Sequence, residues 1–91
     1  GVGASSQQLR NFFSDPANFA DRSIDHIQQE IGIHSQYEDG DWGRRSYIWI
    51  RPDLHVTLAS HGGSWTRYVL FCDPRQRNAE EQMIWERTEK T

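Results

Sequence analysis

The residues with the clearest capacity for binding chemistry are the arginines and aromatic residues between Arg44 and Arg77. Six of the nine arginines of the chain lie in this segment with two acidic residues, so it carries a charge of +4 in a protein whose formal net charge is −3. Its aromatic residues are Tyr47, Trp49, Trp65, Tyr68 and Phe71. Because a guanidinium group pairs with carboxylates and phosphates and stacks on aromatic rings, the segment predicts a surface for an anionic or planar partner.

Catalysis is a weaker interpretation of the same segment. His55 and His61 border one predicted strand and Arg67 lies on the next, and a small metal-independent nuclease uses histidines as acid and base with an arginine on the charged transition state. The spacing assigns neither the acid nor the base. We therefore predict no catalytic residue and rank the nuclease behind two binding functions.

The four histidines and the single cysteine do not predict a metal centre. None of them falls in the paired helical or Cys-x-x-Cys spacing of a zinc site, and the acidic run at residues 38–41 lacks the terminal bidentate glutamate of a calcium loop. We expect neither a metal nor a cofactor. One cysteine also excludes an internal disulfide and fits an intracellular location, cytoplasmic or nuclear.

Length and composition indicate one folded domain. Ninety-one residues suffice for a single core, and an aromatic content of 12% compensates for a hydrophobic share of 35%. No apolar run approaches the roughly 18 residues that cross a membrane, and no signal peptide is visible. We expect residues 1–91 to form one α+β domain, a module of a larger protein, with residues 1–4 as an unstructured tail or a cloning remnant.

Two N-terminal helices are predicted by cap residues and by apolar spacing. Ser5 or Ser6 caps the first helix, and Asp15, ahead of a proline, begins the second. Gly32 ends the second helix as a left-handed cap, from which Ile33 folds back onto the helix. The inner faces, with apolar residues three or four apart, carry Leu9, Phe12 and Phe13 in the first helix and Ala20, Ile24, Ile27 and Ile31 in the second.

Beyond residue 43 the apolar period changes from near 3.6 to 2, which indicates strands. Three strands are predicted over residues 46–50, 54–60 and 65–72, and a glycine turn at 61–64 joins the last two. Residues 34–43 are a loop or a weak edge strand. The predicted order is α-α-β-β-β-α, an α+β domain with a three-stranded or four-stranded antiparallel sheet.

The final helix of that order is predicted from a capping signature. Asn78 stands at the cap position, and Glu81 is placed to complete a reciprocal capping box. Met83 and Ile84 are the expected anchors of this helix on the sheet.

The assignment of the two sheet faces decides the functional prediction. Alternation along the strands assigns to the helix-covered core Ile48, Ile50, Val56, Leu58, Tyr68 and Leu70. The opposite face then presents Tyr47, Trp49, Arg51, His55, Thr57, Trp65 and Arg67. So many aromatic and arginine side chains on an open face indicate a binding site. The alternative is that a helix covers this face too and buries Trp49 and Trp65.

The predicted function is non-catalytic binding of a protein partner through this aromatic and arginine-bearing face. Tryptophan, tyrosine and arginine are the residues most enriched in binding hot spots, and the uneven charge favours docking on an acidic partner. The alternative is RNA or single-stranded DNA, with bases stacked on the aromatic rings and phosphates held by arginines. No membrane partner is expected. The predicted partner-binding residues are Arg44, Arg45, Tyr47, Trp49, Arg51, His55, Trp65 and Arg67.

Overall fold

A computed structural model of the chain describes residues 3–61, 65–78 and 80–88. Within these ranges the elements are α1 (Ser6–Phe13), α2 (Ile24–Ile31), β1 (Gln36–Asp39), β2 (Arg44–Arg51), β3 (Leu54–His61), β4 (Trp65–Cys72) and β5 (Gln82–Glu86). The strands form one antiparallel sheet in the order β1-β2-β3-β4-β5, so each strand pairs with its neighbours in sequence. The α+β class and the antiparallel sheet are as predicted. Most of the predicted glycine turn, residues 62–64, lies outside the described residues.

The first helix begins where its capping residue predicts. Ser5 accepts a hydrogen bond from the backbone of Gln8 at 3.2 Å, and the side chain of Gln8 accepts one from the backbone of Ser5 at 2.8 Å. This capping box satisfies two amides that the helix itself leaves unpaired. Ala4, which the sequence placed in the tail, is ordered as well, because its amide donates to the carbonyl of Ile31 at 3.0 Å.

The second helix begins later than predicted. Asp15 does cap a turn, accepting from the amide of Ala17 at 3.0 Å, but this is a 3-10 turn that ends at residue 18. A new cap at Ser23 then starts α2. The break between them is explained by Phe19, which is fully buried with its ring centroid 5.2 Å from that of Phe13. An uninterrupted helix from residue 15 would not place the ring of Phe19 in the core.

Gly32 ends α2, as predicted, but by a different geometry. Its φ of 93° and ψ of 168° form an extended exit that other residues rarely adopt, and a Cβ at this position would lie 2.8 Å from the Cα of Gly3. The extended exit directs the chain away from the helix towards β1. The prediction that Ile33 folds back onto α2 is therefore wrong, and its side chain is 77% exposed.

The predicted C-terminal helix is wrong, because the segment forms β5 instead. Leu70 pairs with Met83 and Val69 with Trp85 along the edge of β4. That edge would otherwise leave a row of unpaired backbone groups, and pairing satisfies them. Trp85 also gains a contact with Phe19, whose ring centroid is 5.3 Å away. Residues 34–43, which were predicted as a loop or a weak edge strand, contain β1. The described sheet therefore has five strands where three or four were predicted.

The face assignment of the sheet is correct for β3 and wrong for β2 and β4. The core between the helices and the sheet contains Tyr47, Trp49, Leu54, Val56, Leu58, Val69 and Phe71 from the strands, with Leu9, Phe13, Phe19, Ile27 and Ile31 from the rest of the chain. The register places Trp49 opposite Val56 and Val56 opposite Phe71, so these three share a face. The predicted core residues Ile48, Ile50, Tyr68 and Leu70 lie on the other side.

The physical reason for this reversal is the size of the side chains. A buried aromatic residue removes roughly 150–250 Å² from water, more than an isoleucine or leucine does, at about 25 cal/mol per Å². Trp49 also satisfies its polar group in the core, since its indole Nε1 donates to the carbonyl of Gly32 at 3.0 Å. The helices therefore cover the aromatic face of the strands.

Candidate functional site: the open face of the sheet

We call the side of the sheet opposite the core the open face. Side chains of directly paired residues in an antiparallel sheet point to the same side. Three rows across the strands therefore lie on the open face: Ser46, Ala59 and Tyr68; Ile48, Thr57, Leu70 and Met83; and Ile50, His55 and Cys72. Both described helices contribute to the core cluster on the other side. The middle row contains three apolar residues, with Thr57 between Ile48 and Leu70, and Gln36 of β1 extends the row beside Ile48.

The open face forms a groove of about 420 Å³ that runs across β1 to β4. Two irregularities in the register, between Ala59 and Ser60 and between Val69 and Leu70, interrupt the ladder. Such bulges increase the local twist and bend the sheet. Ile48 and Leu70 on the groove floor are half-buried, whereas Ile50 is 40% exposed. Curvature of the sheet accounts for shielding of the floor without a covering helix.

The ends of the groove carry charged and polar groups of both signs. Glu38 and Arg44 line one end, and Glu81 lines the other beside His55 and Cys72. His55 stands directly opposite Cys72 in the β3–β4 register, and the thiol is free and half-buried. No group of three His, Cys, Asp or Glu residues placed to hold a metal occurs in the described part of the chain.

The two predicted aromatic contact residues on β2 are not available at the surface. Trp49 is fully buried and Tyr47 is 8% exposed, both in the core. Their placement on an open face is therefore wrong, for the packing reason given above. Of the remaining predicted residues, His55 lies on the open face, and Arg44 lies at its margin.

Arg51 ties the N-terminal segment to the sheet. Its Nε donates to the carbonyl of Ala4 at 2.8 Å, and its Nη1 donates to the carbonyl of Ile50 at 3.0 Å. Close by, the hydroxyl of Ser6 donates to the carboxylate of Asp53 and lowers the pKa of that carboxyl. These contacts attach the start of α1 to the β2–β3 turn, which gives Arg51 a structural role.

Trp65, Arg67 and Arg45 lie at the end of the sheet where β2 begins, β3 ends and β4 begins. Trp65 is 54% exposed, and Arg67 is half-buried one strand position beyond Thr66. Arg45 pairs with Asp39 across β1 and β2. The structure therefore brings Arg44, Arg45, Trp65 and Arg67 to one end of the sheet, whereas Arg51 and His55 lie at the other end.

Sequence reasoning missed Arg87, which fastens β5 to the rest of the fold. Its guanidinium carbon lies 5.5 Å from the ring centroids of both Trp65 and Trp85. Its Nη2 donates to the carbonyl of Ala20 and to the carboxylate of Asp21, the latter at 3.1 Å. The signal in the sequence is an arginine two residues after a tryptophan, which becomes informative once residues 82–86 are recognised as a strand.

A larger hollow of about 1080 Å³ lies between α1 and α2, but it is a weak candidate site. Several of its polar side chains already have structural partners: Gln8 completes the helix cap, Asn18 donates to the carbonyl of Phe12 at 3.0 Å, and Arg51 holds Ala4. These groups serve the fold. The open face, with apolar residues exposed, is the stronger candidate.

Comparison of the chain with protein-family models, with curated proteins and with solved structures finds no match in any of the three. Within the described residues, no helix has the length and apolar content that a membrane crossing requires. The residues of the open face are therefore the basis on which we infer a function.

Proposed function

We propose that this chain is a non-catalytic binding module whose open face receives an α-helix of a protein partner. The observation that supports the proposal is the presence of Ile48, Ile50 and Leu70 in the groove, while both described helices pack on the opposite face. Met83 is 51% exposed. Apolar residues left exposed on one face mark interaction sites in many soluble proteins.

The shape of the open face favours a helix as the occupant. Four strand spacings of about 4.8 Å give the sheet a breadth of roughly 19 Å, and a helix with its side chains has a diameter of about 10–12 Å. An amphipathic helix lays apolar residues at i, i+3, i+4 and i+7 into such a groove. The charged residues at its two ends, Arg44 and Glu81, can then pair with polar residues that flank the stripe.

The edges of the sheet are less suitable for a partner. The edge strand β1 is four residues long and carries Glu38 and Asp39, and the other edge, β5, is five residues long. Short, charged edge strands discourage the addition of a further strand. A partner that binds the sheet is therefore expected on its face.

Each of the two alternative functions loses part of the arrangement that motivated it. Nucleic-acid binding needs exposed stacking residues, and Trp65 is exposed, but Tyr47 and Trp49 are buried. A nuclease needs its two histidines close together, but His55 and His61 are six residues apart on one strand, a separation of roughly 20 Å. We therefore rank both alternatives behind the binding of a protein helix.

A designed helix tests the proposal directly. We would titrate a fluorescein-labelled, stapled helix of about 14 residues with leucines at i, i+4, i+7 and i+11, and a control peptide with the same composition in scrambled order. We expect micromolar affinity for the striped helix and at least tenfold weaker binding of the scrambled one. The proposal fails if the two peptides bind equally.

The single cysteine of the chain reports where the helix binds. Cys72 lines the open face, so an occupied groove should slow its alkylation by N-ethylmaleimide in proportion to peptide saturation. Unchanged alkylation at saturation would place the peptide elsewhere and contradict the proposal.

Two isoleucines provide a matched pair of variants. Ile50→Asp places a carboxylate on the open face, whereas Ile33→Asp places one on a side chain that is exposed between α2 and β1. We expect Ile50→Asp to weaken the striped helix by at least about 30-fold, the loss typical of a hot spot, and Ile33→Asp to leave it within about twofold. Equal effects would contradict the assignment of the site.

A further inference from the structure

The tip of the β1–β2 hairpin holds Trp42 in a conformation that tryptophan rarely adopts. Its φ of 63° and ψ of 31° are left-handed, and Gly43 beside it has a φ of 79°. Glycine, asparagine and aspartate occupy this region most easily, because a larger side chain crowds the backbone there. Trp42 is the one non-glycine residue with a positive φ in the described ranges.

The indole of Trp42 is also 91% exposed, the highest exposure among the large hydrophobic residues of the described chain. The tip does not depend on it for closure, because the amide of Gly40 donates to the carbonyl of Arg44 at 2.7 Å and the amide of Arg44 donates to the carbonyl of Asp41. A residue whose backbone is strained and whose side chain is exposed to water contributes little to the stability of the fold. Such outliers occur at functional positions.

We propose that Trp42 is the anchor of a second contact, in which its indole enters an apolar pocket on a folded protein partner. Tryptophan is among the residues most enriched in hot spots, and a hairpin tip presents it on a rigid support. This contact is separate from the open face and does not depend on a helix binding there.

The charges around the tip favour a protein over a lipid or nucleic-acid surface. Residues 38–45 contain three carboxylates, Glu38, Asp39 and Asp41, against two arginines. Asp39 and Arg45 face each other across the hairpin, and three acids against two arginines give the segment a net charge of −1, so it is not a predominantly basic surface. Anionic membranes and phosphate backbones require such a surface, whereas a neutral apolar pocket does not.

The first step of the experiment identifies the protein that the hairpin tip contacts. A photo-cross-linking phenylalanine derivative at position 42 is compared with the same group at position 33, another exposed site, in extracts in which the chain is expressed. A protein cross-linked from position 42 and not from position 33 is then purified, since capture alone decides nothing. Failure to obtain one overturns the proposal.

Affinity for the purified partner is the deciding measurement. We expect Trp42→Ala to weaken it by at least about 30-fold, Trp42→Phe to weaken it less, and Trp65→Ala, at another exposed tryptophan, to change it by less than about threefold. Trp42→Ala should leave the striped-helix peptide and Cys72 protection unchanged, which separates this contact from the open face. Unchanged partner affinity in Trp42→Ala overturns the proposal.

Two further outcomes would also overturn it. Trp42-dependent binding to vesicles of phosphatidylcholine and phosphatidylserine would make the tip a membrane contact. A lower melting temperature in Trp42→Asn, which suits the left-handed conformation, would show that the indole supports the fold; we expect a higher one.

Discussion

The two faces of the sheet are made by the same strands, and both carry apolar residues, yet the described helices cover only one of them. On the covered face, the ring of Phe13 lies 5.9 Å from that of Trp49 and 6.3 Å from that of Phe71, and all three are buried. On the open face, Ile48 and Leu70 are half-buried, although neither described helix packs on that side. From β2 and β4 the covered face holds Tyr47, Trp49 and Phe71, whereas the large apolar residues of the open face are aliphatic except for Tyr68.

The helices pack on the face that buries the larger apolar area and that provides a hydrogen-bond partner for its buried polar atom. Trp49 supplies both, because its ring fills the core and its Nε1 reaches the carbonyl of Gly32. The aliphatic face is the part of the sheet whose burial the fold does not require. Its apolar residues are therefore expected to matter more for binding than for stability.

The largest expected difference between the faces is in stability. Trp49→Ala should lower the free energy of unfolding by roughly 3–5 kcal/mol, because it leaves a cavity and an unpaired carbonyl in the core. Leu70→Ala on the open face should cost about 1 kcal/mol or less. Urea denaturation followed by circular dichroism measures both values. Equal losses would mean that the open face is also part of the core.

A smaller effect is expected at Arg87, which attaches β5 to the covered side. Arg87→Ala removes the hydrogen bond from Nε to the carbonyl of Thr66, at 3.0 Å, together with the contacts to Ala20 and to two tryptophan rings. We expect a loss of about 1–3 kcal/mol in the free energy of unfolding. Arg77→Ala, at an exposed arginine, is the control and should change it by less than about 0.5 kcal/mol. A similar loss in both variants would show that general charge, and not this set of contacts, is responsible.

Trp42→Asn should change the free energy of unfolding in the opposite direction, towards greater stability. Because asparagine tolerates the left-handed conformation that Trp42 adopts, the substitution should raise the free energy of unfolding by about 0.5–1 kcal/mol. Thermal and urea unfolding of the two proteins measure the change. This result would set the hairpin tip apart from both faces of the sheet, as a position where the residue present is less stable than an available replacement.

Local signals predicted the parts of the fold that depend on neighbours in sequence. The cap at Ser5, the end of α2 at Gly32 and the strands at 46–50, 54–60 and 65–72 all appear in the structure at or near the predicted positions. Each depends on residues a few positions apart: a serine and a glutamine at helical spacing, a glycine, or an alternating apolar run.

The errors occurred where distant parts of the chain compete. Asn78 and Glu81 carry a helix-capping pattern, but the unpaired edge of β4 was available to the following residues. On β2 both faces are apolar, so alternation cannot decide between Ile48 and Trp49. The choice depends on the carbonyl of Gly32, seventeen residues away, which alternation along a strand does not detect. The open face was therefore predicted to exist, with the correct residues of β3 but the wrong residues of β2 and β4 on it.

The smallest expected effect concerns acid and the end of β4. Arg75 donates to Asp73 at 3.0 and 2.9 Å and holds the pKa of that carboxyl at about 2, below its ordinary value of 3.8. Because the folded pKa is the lower one, this pair stabilises the protein above pH 4, and the contribution is lost as pH falls from about 4 to about 2.

Asp73→Asn and Arg75→Ala should each flatten the dependence of unfolding free energy on pH in this window, and the double variant should flatten it no further. Additive effects would show that Asp73 and Arg75 act through different partners. Cys72 adjoins this pair on the open face, so unchanged affinity of either variant for the striped helix would separate the acid response from the binding groove.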